Sequence, residues 1–169
     1  MNQAKSNANN PAVQDYYADE FAWCYGCGRL NEKGLHLKTR WDGEETLTEF
    51  TPRPEHTAIP GFVYGGLVAS LIDCHSTGSA ALALYRRDGH VLGDPEPVPR
   101  CVTASLKVDF VKPTPMGKRI QVRGRIVEMG RRKVIVHSDL YVEGVLCARG
   151  EVVAVVAPPT MTESSDAKL

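Results

Sequence analysis

With 169 residues the chain has the length of about one domain, enough to bury a core without disulfide or metal staples. Its 20 basic residues balance 20 acidic ones and no basic stripe stands out, so no nucleic-acid partner is expected. No apolar run reaches the roughly 20 residues that a bilayer crossing needs, and no membrane partner is expected either.

The ends read as tails. Residues 1–15 are rich in Asn, Ala and Ser, while 158–169 opens on Pro158-Pro159 and continues in Thr, Glu and Ser, so both are expected to be disordered. One domain is taken to fill 16–157. A short amphipathic helix is expected near 13–23, and 24–34, with three glycines, should be irregular. Leu35, Leu37 and Trp41 then suggest an extended run, Asp42-Gly43 a turn, and 46–51 its hairpin partner, ended by Pro52 and Pro54. A loop over 55–63 carrying Pro60-Gly61 leads into a long helix predicted over 66–86. There Leu67, Val68, Leu71, Ile72, His75, Ser79 and Leu82 recur at helical spacing, and small side chains fill the other face.

After a proline-rich connection over 93–99 the chain is almost pure strand. Val102, Ala104, Leu106, Val108 and Phe110 alternate with polar residues, and so do Ile120, Val122, Gly124 and Ile126. Runs over 133–142 and 145–156 follow, with turns at Met129-Gly130 and Glu143-Gly144, which predicts an antiparallel meander. The elements add up to an α+β fold: a curled antiparallel sheet of about six strands around one long central helix. One face of the sheet stays open, to water or to a second subunit, and an oligomer is expected.

Asp73 is the most informative residue. Between Gly65 and Tyr85 no other side chain is expected to be charged at neutral pH except a protonated His75. A carboxylate among apolar neighbours is costly unless paired or used, and Asp73 lies too deep in the helix to serve its dipole. It reads as a reactive group, with a structural ion pair as the alternative. His75 points in a different direction from Asp73 and reads as a packed or interface histidine.

The five cysteines are odd in number and no leader is evident, so free thiols in the cytoplasm are expected. Cys24-x-x-Cys27 has the spacing of half a zinc site, but no second such pair follows. It is read as a tight, thiol-bearing turn packing against a dimer, with no metal.

The order of several motifs resembles the hotdog-fold acyl-CoA thioesterases, in particular the PaaI-like, phenylacetate-pathway branch. They are Cys24-Tyr25-Gly26-Cys27-Gly28 with Gly34-Leu35, Pro54-Glu55-His56 with Pro60-Gly61, Gly65-Gly66 with Asp73, and the strand from Val102 to Pro113. The resemblance implies hydrolysis of an acyl-CoA to free acid and coenzyme A, without a cofactor. It also implies a homodimer, or a dimer of dimers, with sites at the subunit interface. Gly65 would offer its N–H to the thioester oxyanion, and Asp73 would act as general base or nucleophile. Thr103, arriving from the other subunit, would hold water or substrate. Tyr64 stands where the family has histidine; it can exchange hydrogen bonds but does not titrate near neutrality. Gly66, His56 and Thr77 complete the expected substrate site, and Lys112, Arg131 and Arg132 fall where the family meets coenzyme A phosphates. Loss of turnover with retention of acyl-CoA or lipid binding is the alternative. A hydratase is disfavoured because no second His and acid pair accompanies Asp73.

Overall fold

Alternation of apolar and polar residues turns most of the chain into strands, and one run of helical spacing supplies the element they wrap. The computed structural model describes residues 10–162. Strands β1 (Thr39–Asp42) and β2 (Glu45–Phe50) form a hairpin, and a small hairpin of β3 (Thr57–Ile59) and β4 (Phe62–Val63) occupies the loop before the helix. Helix α1 (Gly65–Arg87) is followed by β5 (Cys101–Phe110), β6 (Ile120–Met129), β7 (Lys133–Val142), β8 (Val145–Val156) and a short turn of helix, α2 (Pro159–Thr162). The six long strands form one antiparallel sheet in the order β1-β2-β6-β7-β8-β5 around α1.

This order corrects the simple meander. Of the four strands after the helix only β6, β7 and β8 follow one another across the sheet, while β5 pairs with β8 at the far edge and β6 pairs with β2. Hairpin turns explain the local part: Glu143 and Gly144 both have positive φ, 48° and 79°, as the two-residue turns that match strand twist require. The segment after β5 contains Pro113, Pro115 and Gly117 and admits no tight turn, so β5 is free to pair elsewhere.

The helix is pressed closely onto the sheet. Leu67, Leu71, Ile72 and Leu84 are buried against Ile120, Val122, Val136, Leu140 and Val152, each such side chain contributing about 1.5–3 kcal/mol on burial. Two strand glycines permit the approach. A Cβ at Gly150 would overlap Ile72, and one at Gly124 would overlap the His75 ring. Among the described residues α1 is long and apolar enough to cross a bilayer, contrary to the sequence expectation, but 83% of its most apolar stretch is buried here. The outer sheet face carries ion pairs such as Arg123 with Asp42 and with Glu45.

Other expectations change at the N-terminal side. Part of the expected tail is core: Val13 and Gln14 are buried, and the Gln14 amide accepts the Thr39 N–H at 2.7 Å and donates to its hydroxyl at 3.1 Å. In place of an amphipathic helix there are two 3-10 turns, Val13–Asp15 and Asp19–Phe21. The extended run from Leu35 enters the sheet only at Thr39, after His36 adopts a φ of 56°. At the other end, 159–162 form α2, while 1–9 and 163–169 lie outside the described residues.

Candidate active site

Helix α1 starts without a side-chain cap. Its N-cap is Tyr64, whose carbonyl accepts the Leu67 N–H at 3.1 Å, and the N–H groups of Gly65 and Gly66 belong to the first turn, where no helical acceptor exists. Aromatic rings lie close against both glycines. The Tyr64 ring folds over Gly66, and a Cβ at Gly65 would stand 3.2 Å from the Phe110 ring. An apolar cleft of about 430 Å³ opens beside Gly65, lined among others by Ile59, Phe62, Val68, Phe110 and Lys112. An uncapped helix start facing such a cleft is suited to an oxygen that gains negative charge.

His56 lies behind this start and holds it in place. Its ring nitrogen Nδ1 accepts the Arg53 N–H at 3.0 Å, and its carbonyl accepts the Tyr64 N–H at 3.0 Å. The ring is buried against Phe50, so burial and the Arg53 charge hold its pKa below the ordinary imidazole value. It braces the glycines from within; Nε2 is buried and unpartnered among the described residues.

Asp73 is half-buried, and the Thr103 hydroxyl donates a short hydrogen bond to its Oδ1. The threonine comes from the same chain as Asp73, so the two side chains travel together. The cause is local. The β5–β8 register shifts between Thr103 and Ser105, leaving Ala104 bulged, and a bulge re-aims the side chains beside it. The alternation read through Ala104 ends there. Burial raises the pKa of Asp73, opposed by the Thr103 hydrogen bond.

The remaining expected residues divide. Thr77 is buried and returns its hydroxyl to the helix backbone at Asp73 and Cys74, both 3.2 Å, so it is not offered to a ligand. Lys112 reaches the cleft beside Gly65. Arg131 and Arg132 are exposed in the β6–β7 turn, where the backbone of Arg131 and Gly130 accepts hydrogen bonds from Arg87 at the C-terminal end of α1. Twenty-two residues of helix put that end about 33 Å from Gly65, so within one chain these arginines do not join Lys112. Gly65 and Asp73 are themselves separated by eight residues, about 12 Å along the axis. Their N–H and carboxylate cannot meet on a single carbonyl carbon of a substrate held by one chain.

Sequence reasoning missed one neighbour altogether. Cys74, one residue after Asp73, faces the Cys24-x-x-Cys27 turn, with its Sγ 3.9 Å from that of Cys24. A thiol in a helix and a thiol pair fifty residues earlier share no sequence spacing; only the absence of Cβ at Gly26, where one would overlap the Cys74 sulfur, hints at the approach.

A six-stranded antiparallel sheet packed on one long central helix is the hotdog architecture. The thioesterase superfamily profile matches residues 60–154, and the chain belongs to that family. A thioesterase superfamily protein from Shewanella loihica is 47% identical, its structure covering 86% of this chain and 99% of its own, with a TM-score of 0.65. The acyl-coenzyme A thioesterase THEM4 of Xenopus laevis is 31% identical over 91 residues, or 54% of this chain, and the match spans only 35% of that protein's length. The Escherichia coli PaaI protein from the phenylacetic acid degradation operon shares the fold at 12% identity, covering 73% of this chain and 81% of its own, with a TM-score of 0.59.

Proposed function

We propose that the protein is an acyl-CoA thioesterase that acts as a homodimer in the cytoplasm, on the PaaI-like side of the family. The observation that carries the reading is Asp73: a half-buried carboxylate on an apolar helix, fixed by the hydroxyl of Thr103. Asp73 takes the proton of an attacking water, or itself adds to the thioester carbonyl carbon. The carbonyl oxygen gains charge against the Gly65 N–H, and collapse of the tetrahedral adduct expels the coenzyme A thiolate, which is protonated to leave free acid and thiol. Tyr64 and Gly66 shape the oxyanion side, and the apolar cleft with Lys112 at its rim receives the substrate.

The helix supports the dimer. A glycine and a carboxylate about 12 Å apart on one helix serve one carbon only if they come from two chains. The edge available for pairing is β5, bonded to β8 on one side and exposed from Thr103 to Lys107, with Leu106, Phe110 and Val111 also exposed. The name of the Xenopus relative supports the substrate class, and the five unpaired cysteines fit a reducing compartment. Thiol release from short, medium, long and aromatic acyl-CoAs tests the reading. Turnover by the native protein and its collapse in a folded Asp73→Asn form are expected. Retention of turnover by that form would sink the assignment, and binding without release would make the protein an acyl-CoA-binding module, the reading that Tyr64 in place of histidine favours.

A further inference from the structure

We propose that Cys24, Cys27 and Cys74 form a zinc-binding site, which joins the N-terminal turn to α1 one residue beyond Asp73. The sulfurs of all three lie within 4.8 Å of one another, and Cys24 and Cys74 are 3.9 Å apart. Zinc–sulfur bonds of about 2.3 Å at tetrahedral angles put ligand sulfurs about 3.8 Å apart, so an ion needs only a small inward movement of the thiols. Two of the ligands sit on a tight turn closed by the Gly28 N–H to the Cys24 carbonyl at 2.7 Å, a geometry that leaves no room for a Cβ at Gly28. The turn is anchored to the following segment by Leu35 N–H to Tyr25 carbonyl and Leu37 N–H to Gly26 carbonyl, 2.8 and 3.0 Å.

The surroundings are prepared for anionic sulfur. Arg100 stacks over the Tyr17 ring at 4.8 Å and lies near Cys27 and Cys24, and its Nη1 is buried with no partner among the described residues. Three thiolates with one divalent ion carry a single net negative charge, which a guanidinium balances. Among the described residues no fourth His, Cys, Asp or Glu joins the set, so the fourth position is left to an exchangeable ligand. Binding displaces the thiol protons of the ligands.

Zinc binding here stands whether or not the protein hydrolyses thioesters. The test uses the full chain, reduced and stripped by chelator, titrated with Co²⁺ and then Zn²⁺ under anaerobic conditions. About one equivalent of Co²⁺ is expected to give a near-ultraviolet thiolate charge-transfer band that Zn²⁺ abolishes, and zinc is expected to raise Tm by several degrees. Cys74→Ser should lose the band, while Cys147→Ser, a buried cysteine outside the trio, should keep it. Absence of the band from the wild-type protein, or its persistence in folded Cys24→Ser and Cys74→Ser forms alike, would overturn the site. The wild-type titration decides even if a variant fails to fold.

Discussion

Helix α1 carries Asp73 and His75 two residues apart, and each is met by threonine hydroxyls from a strand. On one side Thr103 of the edge strand β5 donates to a half-buried carboxylate. On the other, Thr48 lies 2.8 Å from His75 Nδ1 and Thr46 3.3 Å from Nε2, both from β2, with the Ser79 hydroxyl 3.5 Å from Nε2. Burial drives both groups toward neutrality, raising Asp73 and pushing His75 down to about 3. The difference lies in the strands. Strand β2 is flanked by β1 and β6 and closes over the histidine, whereas β5 has a free edge that leaves the carboxylate reachable. Availability for chemistry on this helix is therefore set by sheet position more than by residue type.

Substitutions on the two sides should separate activity from stability. Asp73→Asn is expected to lower kcat by roughly 10²–10⁴-fold while Tm changes little, and a comparable loss of Tm would erase the distinction. His75→Leu should do the reverse. It leaves the hydroxyls of Thr46, Thr48 and Ser79 without their ring partner, a loss of about 3 kcal/mol in urea unfolding, with kcat per folded molecule unchanged.

Acid should act first through the closed side. Above the unfolded pKa of about 6.5, His75 is neutral in both states and contributes no pH dependence. Below it the unfolded chain takes up a proton that the native ring refuses, because only the hydroxyls of Thr46, Thr48 and Ser79 face its nitrogens. Stability should then fall by about 1.4 kcal/mol per pH unit until pH approaches 3. His56, shifted in the same direction, adds to the fall. In His75→Leu the slope should shrink by one proton, measured by unfolding at pH 7, 6 and 5. The smallest effect belongs to Thr103→Val, which keeps the shape and removes the donor: about 10-fold in kcat, with the stability curve unmoved, is the expected result.

The sheet and helix were legible because alternation and helical spacing are local properties of the chain. The helix predicted over 66–86 runs from Gly65 to Arg87, the Glu143-Gly144 turn falls as read, and the turn expected at Asp42-Gly43 falls one residue later, at Gly43-Glu44, because Asp42 still pairs with Glu45. Strand order was less so. Pairing of β5 with β8 depends on which edge is free once the other strands have met, and no residue of β5 records it. Within the site, Asp73 stood out as a charge among apolar neighbours, and the Gly65-Gly66 pair marked the helix start. The same-chain contact of Thr103 rests on a bulge, and burial of Gln14 on a polar side chain satisfied by Thr39, neither of which leaves a pattern in composition. Arg131 and Arg132 show the converse: basic residues in a plausible order, carried to the far end of the helix by the fold.

The rigid spacing of Gly65 and Asp73 also bears on abundance. If each reacting centre draws on two chains, a lone chain holds halves of two different centres and no whole one. Turnover then rises with the square of chain concentration while pairs are scarce, and becomes linear once pairing saturates. The length of one stretch of helix thus makes the rate per chain a gauge of how much protein is present.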